Sequence, residues 1–289
     1  MFGKSTKRTY PTITKTFPSA DGTVIYAEAT GDARKPAIVF VPGFALSAAV
    51  FDPLFTNEKL LEKYYLVRYD PRGHARSGQP ESPAAYEPKQ YAADFLSLCR
   101  TFNLRRPLWA GWSVAGTISS DIIAHLGPSA VSGFVYIAGV PSMVGSEPMR
   151  SAFLNQCVGG LLAPDAATQA RASLDFVDGC FERPELVSYQ MRMSMVGATF
   201  TQSPAARLNV LMRKQDPSLL FRAGAEGLPA LFIIGEKDKI VVQEEVLKVL
   251  RQHWKRLMVR EVKGAGHAPF LENQQEFVDR LVEFADQVC

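Results

Sequence analysis

Short apolar runs recur along the chain, and several are continuous rather than alternating with polar residues. Continuous runs of this length suit parallel strands buried on both faces. They predict strands at 23–29, 37–41, 65–69, 108–112, 134–138, 230–234 and 257–262. Between them lie segments with helical spacing. Tyr91, Phe95, Leu98 and Phe102 share one helical face, and so do Val246, Leu247, Leu250 and Trp254. A last helix is predicted from Asn273, with Glu276 three residues on as in a capping box and Phe277, Leu281 and Phe284 on its apolar side. Strands alternating with helices predict an α/β fold with a mostly parallel, doubly wound sheet and helices on both faces.

One interval breaks the alternation. Residues 141–228 exceed what a single crossover helix requires and contain no strong strand pattern. Six of the eight methionines fall there: Met143, Met149, Met191, Met193, Met195 and Met212. The expected organisation is a core of residues 1–140 and 222–289, with a helical cap at 141–221 inserted before the penultimate core strand. Such a cap would rest on the carboxyl ends of the strands, where open sheets bind ligands.

Composition narrows the function classes. With 47% hydrophobic and 21% charged residues the chain reads as an ordinary globular protein, and a net charge of +3 is too mild to imply nucleic acid. Lys248, Arg251, Lys255, Arg256 and Arg260 straddle a helix end and read as solvated surface. No apolar stretch follows the charges of residues 1–8, and nowhere is there a run of about 18 apolar residues, so neither a leader nor a membrane span is expected. A cytoplasmic location follows only from those missing signals. Cys99, Cys157, Cys180 and Cys289 lack metal spacing and are too sparse for a disulfide scaffold. No metal or organic cofactor is expected, because histidines are few and no phosphate-cradling glycine loop is present. The expected partner is a small-molecule substrate; oligomeric state is not legible.

The strongest chemical signal is Leu108-Trp109-Ala110-Gly111-Trp112-Ser113-Val114-Ala115-Gly116. An apolar strand runs into a serine, and a helical segment follows until Gly127-Pro128 stops it. Gly111, Ala115 and Gly116 are small enough for a tight turn that lifts the hydroxyl to the positive end of the helix. The spacing is G-x-S-x-A-G rather than G-x-S-x-G. Alone, the pentapeptide does not separate a nucleophile from a serine at a helix N-cap.

A serine hydroxyl needs a base, and the base needs an orienting group. In strand–turn–helix serine sites the acid and then the histidine follow the serine. Of the four histidines, only His253 and His267 come late enough. His253 sits in a periodic helix beside Trp254, where a structural role is the ordinary explanation. His267 sits in Gly264-Ala265-Gly266-His267-Ala268-Pro269, directly after the last predicted strand, and is the candidate base. The candidate acid is Asp238 in Gly235-Glu236-Lys237-Asp238, with Glu236 read as a surface charge. The stretch after the preceding core strand, Gly139-Val140-Pro141-Ser142-Met143, offers no carboxylate. Oxyanion donors are expected from the backbone N–H of Val114 and, after the early strand, from Phe44 in Val41-Pro42-Gly43-Phe44.

Taken together, these pieces resemble the α/β-hydrolase superfamily from about Thr23 onward. They are V-P-G-F at 41–44, D-P-R-G-H-A-R-S-G at 70–78, G-W-S-V-A-G at 111–116, G-E-K-D at 235–238 and G-A-G-H at 264–267. Many relatives carry histidine where Pro42 stands; the backbone donor is unaffected. In that family the D-P-R-G-H segment is a structural turn, so Asp70, Arg72 and His74 are read as structural. The resemblance implies the serine branch, with Ser113, His267 and Asp238 cleaving a carboxylic ester, lactone or thioester through an acyl-enzyme. A carbon–carbon bond hydrolase acting on a diketone-type substrate, with Arg192 or Arg207 holding an acidic group, stays open. So does a hydrolase-like receptor. Trp112, Phe270 and Met143 are candidate pocket walls, and the methionines either line an adaptable pocket or pack the cap.

Overall fold

Eight strands form one sheet in a computed structural model that describes residues 10–289. The first nine residues, on which the leader reading and the start of the core rest, lie outside the described residues. The chain runs β1 (Ile13–Pro18), β2 (Val24–Thr30), β3 (Ala37–Val41), α1 (Asp52–Phe55), α2 (Glu58–Lys63) and β4 (Tyr65–Asp70). It continues with α3 (Pro88–Phe102), β5 (Leu108–Trp112), α4 (Ile118–Leu126) and β6 (Gly133–Ile137). The insertion then carries four helices: α5 (Ala152–Leu161), α6 (Ala166–Gly179), α7 (Tyr189–Thr201) and α8 (Pro204–Leu211). Then come α9 (Ser218–Ala225), β7 (Ala230–Gly235), α10 (Gln243–His253), β8 (Leu257–Val262), α11 (Pro269–Glu272) and α12 (Gln274–Val288).

The strand order is β1-β2-β4-β3-β5-β6-β7-β8. β1 and β2 are antiparallel, as are β2 and β4; every later pair is parallel. All residues of β3 to β7 are buried, as their apolar runs predict. β1 is absent from the sequence expectation because Ile-Thr-Lys-Thr-Phe-Pro carries no such run. It is an edge strand with four of its first five residues exposed, held by pairing to β2.

Helices α5 to α8 each begin after a polar residue that accepts an N–H of the first turn: Ser151, Asp165, Ser188 and Ser203. Such caps are worth about 1 kcal/mol each, and they break the insertion into short helices. Helix α9 spans the expected boundary at 221/222 but packs on α4 and α10 as part of the core. Its Gly224 sits so near Trp254 that a Cβ would lie 2.8 Å from the indole. Helix α12 starts as expected, with Asn273 accepting the Glu276 N–H at 3.4 Å. No helix among the described residues is long and apolar enough to cross a membrane.

Candidate functional site

Ser113 stands where β5 ends and a 3-10 turn (Ser113–Thr117) leads into α4. Its backbone takes φ +58°, a left-handed conformation that costs a non-glycine residue of the order of 1–2 kcal/mol. Neighbouring small residues make room for this turn. A Cβ on Gly111 would meet Ala115 and Gly116 backbone atoms at 2.9 Å. On Gly116 it would lie 2.6 Å from the Val140 carbonyl oxygen. The tight approach therefore falls at Gly116 and not at Ala115, which explains why the glycine stands one position later than in the common pattern.

Asp238 and His267 meet across the ends of β7 and β8. His267 Nδ1 lies 2.8 Å from Asp238 Oδ2, with the two side chains 1% and 0% exposed. The other carboxylate oxygen of Asp238 accepts the N–H groups of Ile240 at 2.8 Å and Val241 at 3.1 Å. The bond uses Nδ1, and Nε2 has no hydrogen-bond partner among the described residues. The Trp112 indole, one residue before Ser113, donates to the His267 carbonyl at 2.8 Å. The serine strand thus holds the backbone of the histidine directly.

The histidine loop is clamped on other sides. Gly235 is in such close contact with Gly266 and Ala265 that no side chain fits there. Glu236, expected on the surface, is half-buried and accepts the Gly264 N–H at 3.0 Å. Glu272 accepts the Gly266 N–H at 2.6 Å through one oxygen, and the Glu182 and Arg183 N–H groups at 2.9 and 3.1 Å through the other. This joins the loop to the insertion. Sequence reasoning missed Glu272; its only signal is a carboxylate in the short helix begun by Pro269.

Ser113 opens into a narrow cavity of about 90 Å³ between core and insertion. Phe44, Val114 and Val140 line it from the core, and Leu154, Phe176 and Leu211 from the insertion. Val114 is in the first turn of its helix, where N–H groups have no intrahelical acceptor. Met143 lines the cavity as expected, and Met149 does too, but Met195 is packed in the core and Met212 is 66% exposed.

Several expectations change. Trp112 and Phe270 are 1% and 0% exposed and pack edge-to-face behind the serine, in the core rather than in the cavity wall. Arg207, a candidate for holding an acidic substrate group, is buried, and its guanidinium donates to the carbonyls of Leu161, Thr199 and Gln202. Arg192 pairs with Asp178 at 2.6 Å. Neither lines the cavity. His253 stacks on Phe221.

The D-P-R-G-H segment is a buried turn. Asp70 accepts the Ala48 N–H at 2.6 Å and pairs with Arg76 at 2.7 Å, and Arg72 bridges Asp94 and Asp21. Burial pushes the His74 imidazole down to about 4, so it is neutral at pH 7.

Below the insertion lies a second buried polar group. Gln215 donates to the Thr117 carbonyl at 2.8 Å and to Asp121 at 2.6 Å, and accepts the Met143 N–H at 2.8 Å. One side chain thereby ties both ends of the insertion to the helix behind Ser113. Arg213 donates to Thr117 Oγ1 and stacks on Tyr91 at 4.0 Å. Burial raises Asp121 to about 6, against the pull of Arg213 and Gln215.

Residues 38–280 match the profile of the alpha/beta hydrolase family. A pimeloyl-[acyl-carrier protein] methyl ester esterase of Xanthomonas axonopodis pv. citri is 27% identical over 266 residues, covering 88% of this chain and 96% of its own. Among solved structures, an esterase from Rhodococcus sp. superposes with a TM-score of 0.84 at 23% identity, covering 96% of this chain and 99% of that one. A 2-hydroxy-6-oxo-6-phenylhexa-2,4-dienoate hydrolase, also from Rhodococcus, superposes at 0.77 with 20% identity over 96% of this chain and 100% of that one. At such identities the structural likeness speaks to fold alone. The profile match extends over most of the chain, and this protein belongs to the alpha/beta hydrolase family.

Proposed function

We propose that this chain hydrolyses carboxylic esters with a short apolar acyl part, using Ser113 as nucleophile, His267 as base and Asp238 as orienting acid. The observation that carries this reading is the buried Asp238–His267 bond, made through Nδ1 so that Nε2 is left without a partner among the described residues, beside a serine held at φ +58° on a cavity. Sequence likeness to methyl ester esterases favours an ester over a carbon–carbon bond. Arg192 and Arg207, the cations considered for an acidic diketone, are engaged elsewhere.

In this mechanism Ser113 Oγ attacks the ester carbonyl while Nε2 of His267 takes its proton. The negative charge that develops on the carbonyl oxygen is met by the N–H groups of Phe44 and Val114. The carbon–oxygen bond then breaks, and the alkoxide leaves with the proton from the imidazolium. Water, deprotonated by the same imidazole, hydrolyses the acyl-serine. Asp238 fixes the tautomer and balances the imidazolium charge. Helices α5 to α8 act as a cap that keeps the acyl part dry.

A volume near 90 Å³ is far below the roughly 300–1,000 Å³ of pockets for drug-sized ligands, so short acyl chains are expected to be best. The test is a p-nitrophenyl ester series from acetate to palmitate with Ser113→Ala as the blank. Turnover that peaks at short chains and disappears in Ser113→Ala supports the reading. Folded wild-type protein that hydrolyses none of the series, or a Ser113→Ala variant as active as wild type, overturns it.

A further inference from the structure

The cavity beside Ser113 has one charged lining residue, Arg150, in an otherwise apolar wall apart from Ser113 and Ser146. The Ser146 hydroxyl donates to the Met143 carbonyl at 2.8 Å. Arg150 is exposed, and among the described residues no carboxylate pairs with it. The buried or half-buried arginines of the insertion and its exit, by contrast, have partners: Arg192 has Asp178, Arg207 three carbonyls, Arg213 Thr117 and Asp121.

Arg150 is also held in place. Its residue forms an isolated antiparallel bridge with Val241. On either side, the Val242 N–H donates to the Met149 carbonyl at 2.9 Å and the Ser151 N–H to the Ile240 carbonyl at 3.1 Å. The partner strip, residues 240–242, is the one whose N–H groups Asp238 accepts. The backbone that carries Arg150 is therefore anchored to the loop of the acid. A fixed backbone lowers the ordering cost of binding through its side chain.

We propose that Arg150 receives a carboxylate at the far end of the substrate's acyl part, so that the preferred substrate is a monoester of a short dicarboxylic acid. A guanidinium presents paired donors that match a carboxylate's two oxygens. The apolar wall between it and Ser113 suits the methylene chain separating the two carbonyl groups. This rests on the ester reading of Ser113 given above.

The experiment compares kcat/KM for the monomethyl esters of succinic, adipic and suberic acids with methyl esters of monocarboxylic acids of equal chain length. It uses wild type, Arg150→Gln and Arg150→Lys. The acid-ester to neutral-ester ratio is expected to exceed one for at least one length in wild type. It should fall about fivefold in Arg150→Gln and less in Arg150→Lys, the size set by a partly exposed ion pair. Raising the salt concentration should shrink the wild-type ratio. A ratio below one at every length, or one unmoved in Arg150→Gln, overturns the proposal. Should folded wild type hydrolyse neither class, the ester reading falls. Calorimetric binding of monomethyl adipate to Ser113→Ala and to Ser113→Ala/Arg150→Gln then decides the carboxylate site: tighter binding with Arg150 upholds it, and equal binding refutes it.

Discussion

Asp238 serves two groups at once, and a carboxamide in its place can serve only one. One oxygen accepts the Ile240 and Val241 N–H groups, and the other faces His267 Nδ1. In Asp238→Asn the amide oxygen keeps the two backbone bonds if its NH2 group faces the imidazole. Nδ1 must then accept and Nε2 must carry the proton, so the base is lost. Restoring the active tautomer requires the amide to turn its NH2 toward two N–H donors. Leaving two donors without acceptors costs about 2–6 kcal/mol at about 1–3 each. At about 1.4 kcal/mol per decade, kcat should fall about 30-fold to about 10⁴-fold. Stability should hardly change, because the 240–242 strip keeps its acceptor. Asp238→Ala should lose both, with a melting temperature lower by about 4–12 °C at about 2 °C per kcal/mol. The assay is burst and steady-state turnover of p-nitrophenyl acetate, with calorimetric melting of both variants. Asp238→Asn protein that keeps more than a tenth of wild-type kcat, or melts as low as Asp238→Ala, would refute the reasoning.

Three further predictions concern the supports of the site. Gly116→Ala should cost about 1–3 kcal/mol and most of the esterase activity, since the Val140 carbonyl stands 2.6 Å from the added carbon, whereas Ala115→Gly should change melting by less than about 1 kcal/mol; paired melting and turnover curves check this. Glu272→Ala, which strands the N–H groups of Gly266, Glu182 and Arg183, should lower kcat about tenfold and speed amide exchange across residues 264–268, measured by mass spectrometry; unchanged exchange refutes the clamp. For Asp121 the folded carboxyl titrates near 6, above its value in the unfolded chain, so the folded state binds the extra proton between about pH 4 and 6 and stability falls as pH rises through that window. Asp121→Asn removes that loss, and the melting temperature of the variant minus that of wild type should rise from pH 4.5 to 7; a flat difference refutes it.

What the sequence discloses here depends on where the information lies. Buried parallel strands announce themselves because both faces need apolar side chains, so β3 to β7 were legible almost to the residue. Ser113, Asp238 and His267 stand out as candidates in the sequence because each follows a strand end with small residues beside it. β1 was not, since an edge strand gains its place from pairing with β2 and not from its own pattern. Trp112 and Phe270 showed aromatic bulk but not direction; the end of β5 turned one into the core and the short helix α11 the other. Arg207 reads as surface by type; only the fold brings three carbonyls around it. Arg150, Gln215 and Glu272 owe their roles to partners 72 or more residues away, or to a cavity built from both halves, and nothing local marks them.

The strip in which residues 149–151 run against 240–242 has a consequence for how such enzymes can be recombined. It is a joint: from one side the insertion with helices α5 to α8 departs, and on the other lies the loop of Asp238. A module exchanged with crossover points upstream of Met143 and just downstream of Gln215 carries the Gln215–Met143 fastening with it, but takes residues 149–151 from one parent and leaves 240–242 to the other. A cut at the helix boundary, Ala152, leaves residues 149–151 and 240–242 with the same parent, so the joint is inherited whole. Chimeras cut upstream of Met143 are therefore expected to fold and still lose pocket registry, because Arg150 and Asp238 would no longer share a single inherited geometry.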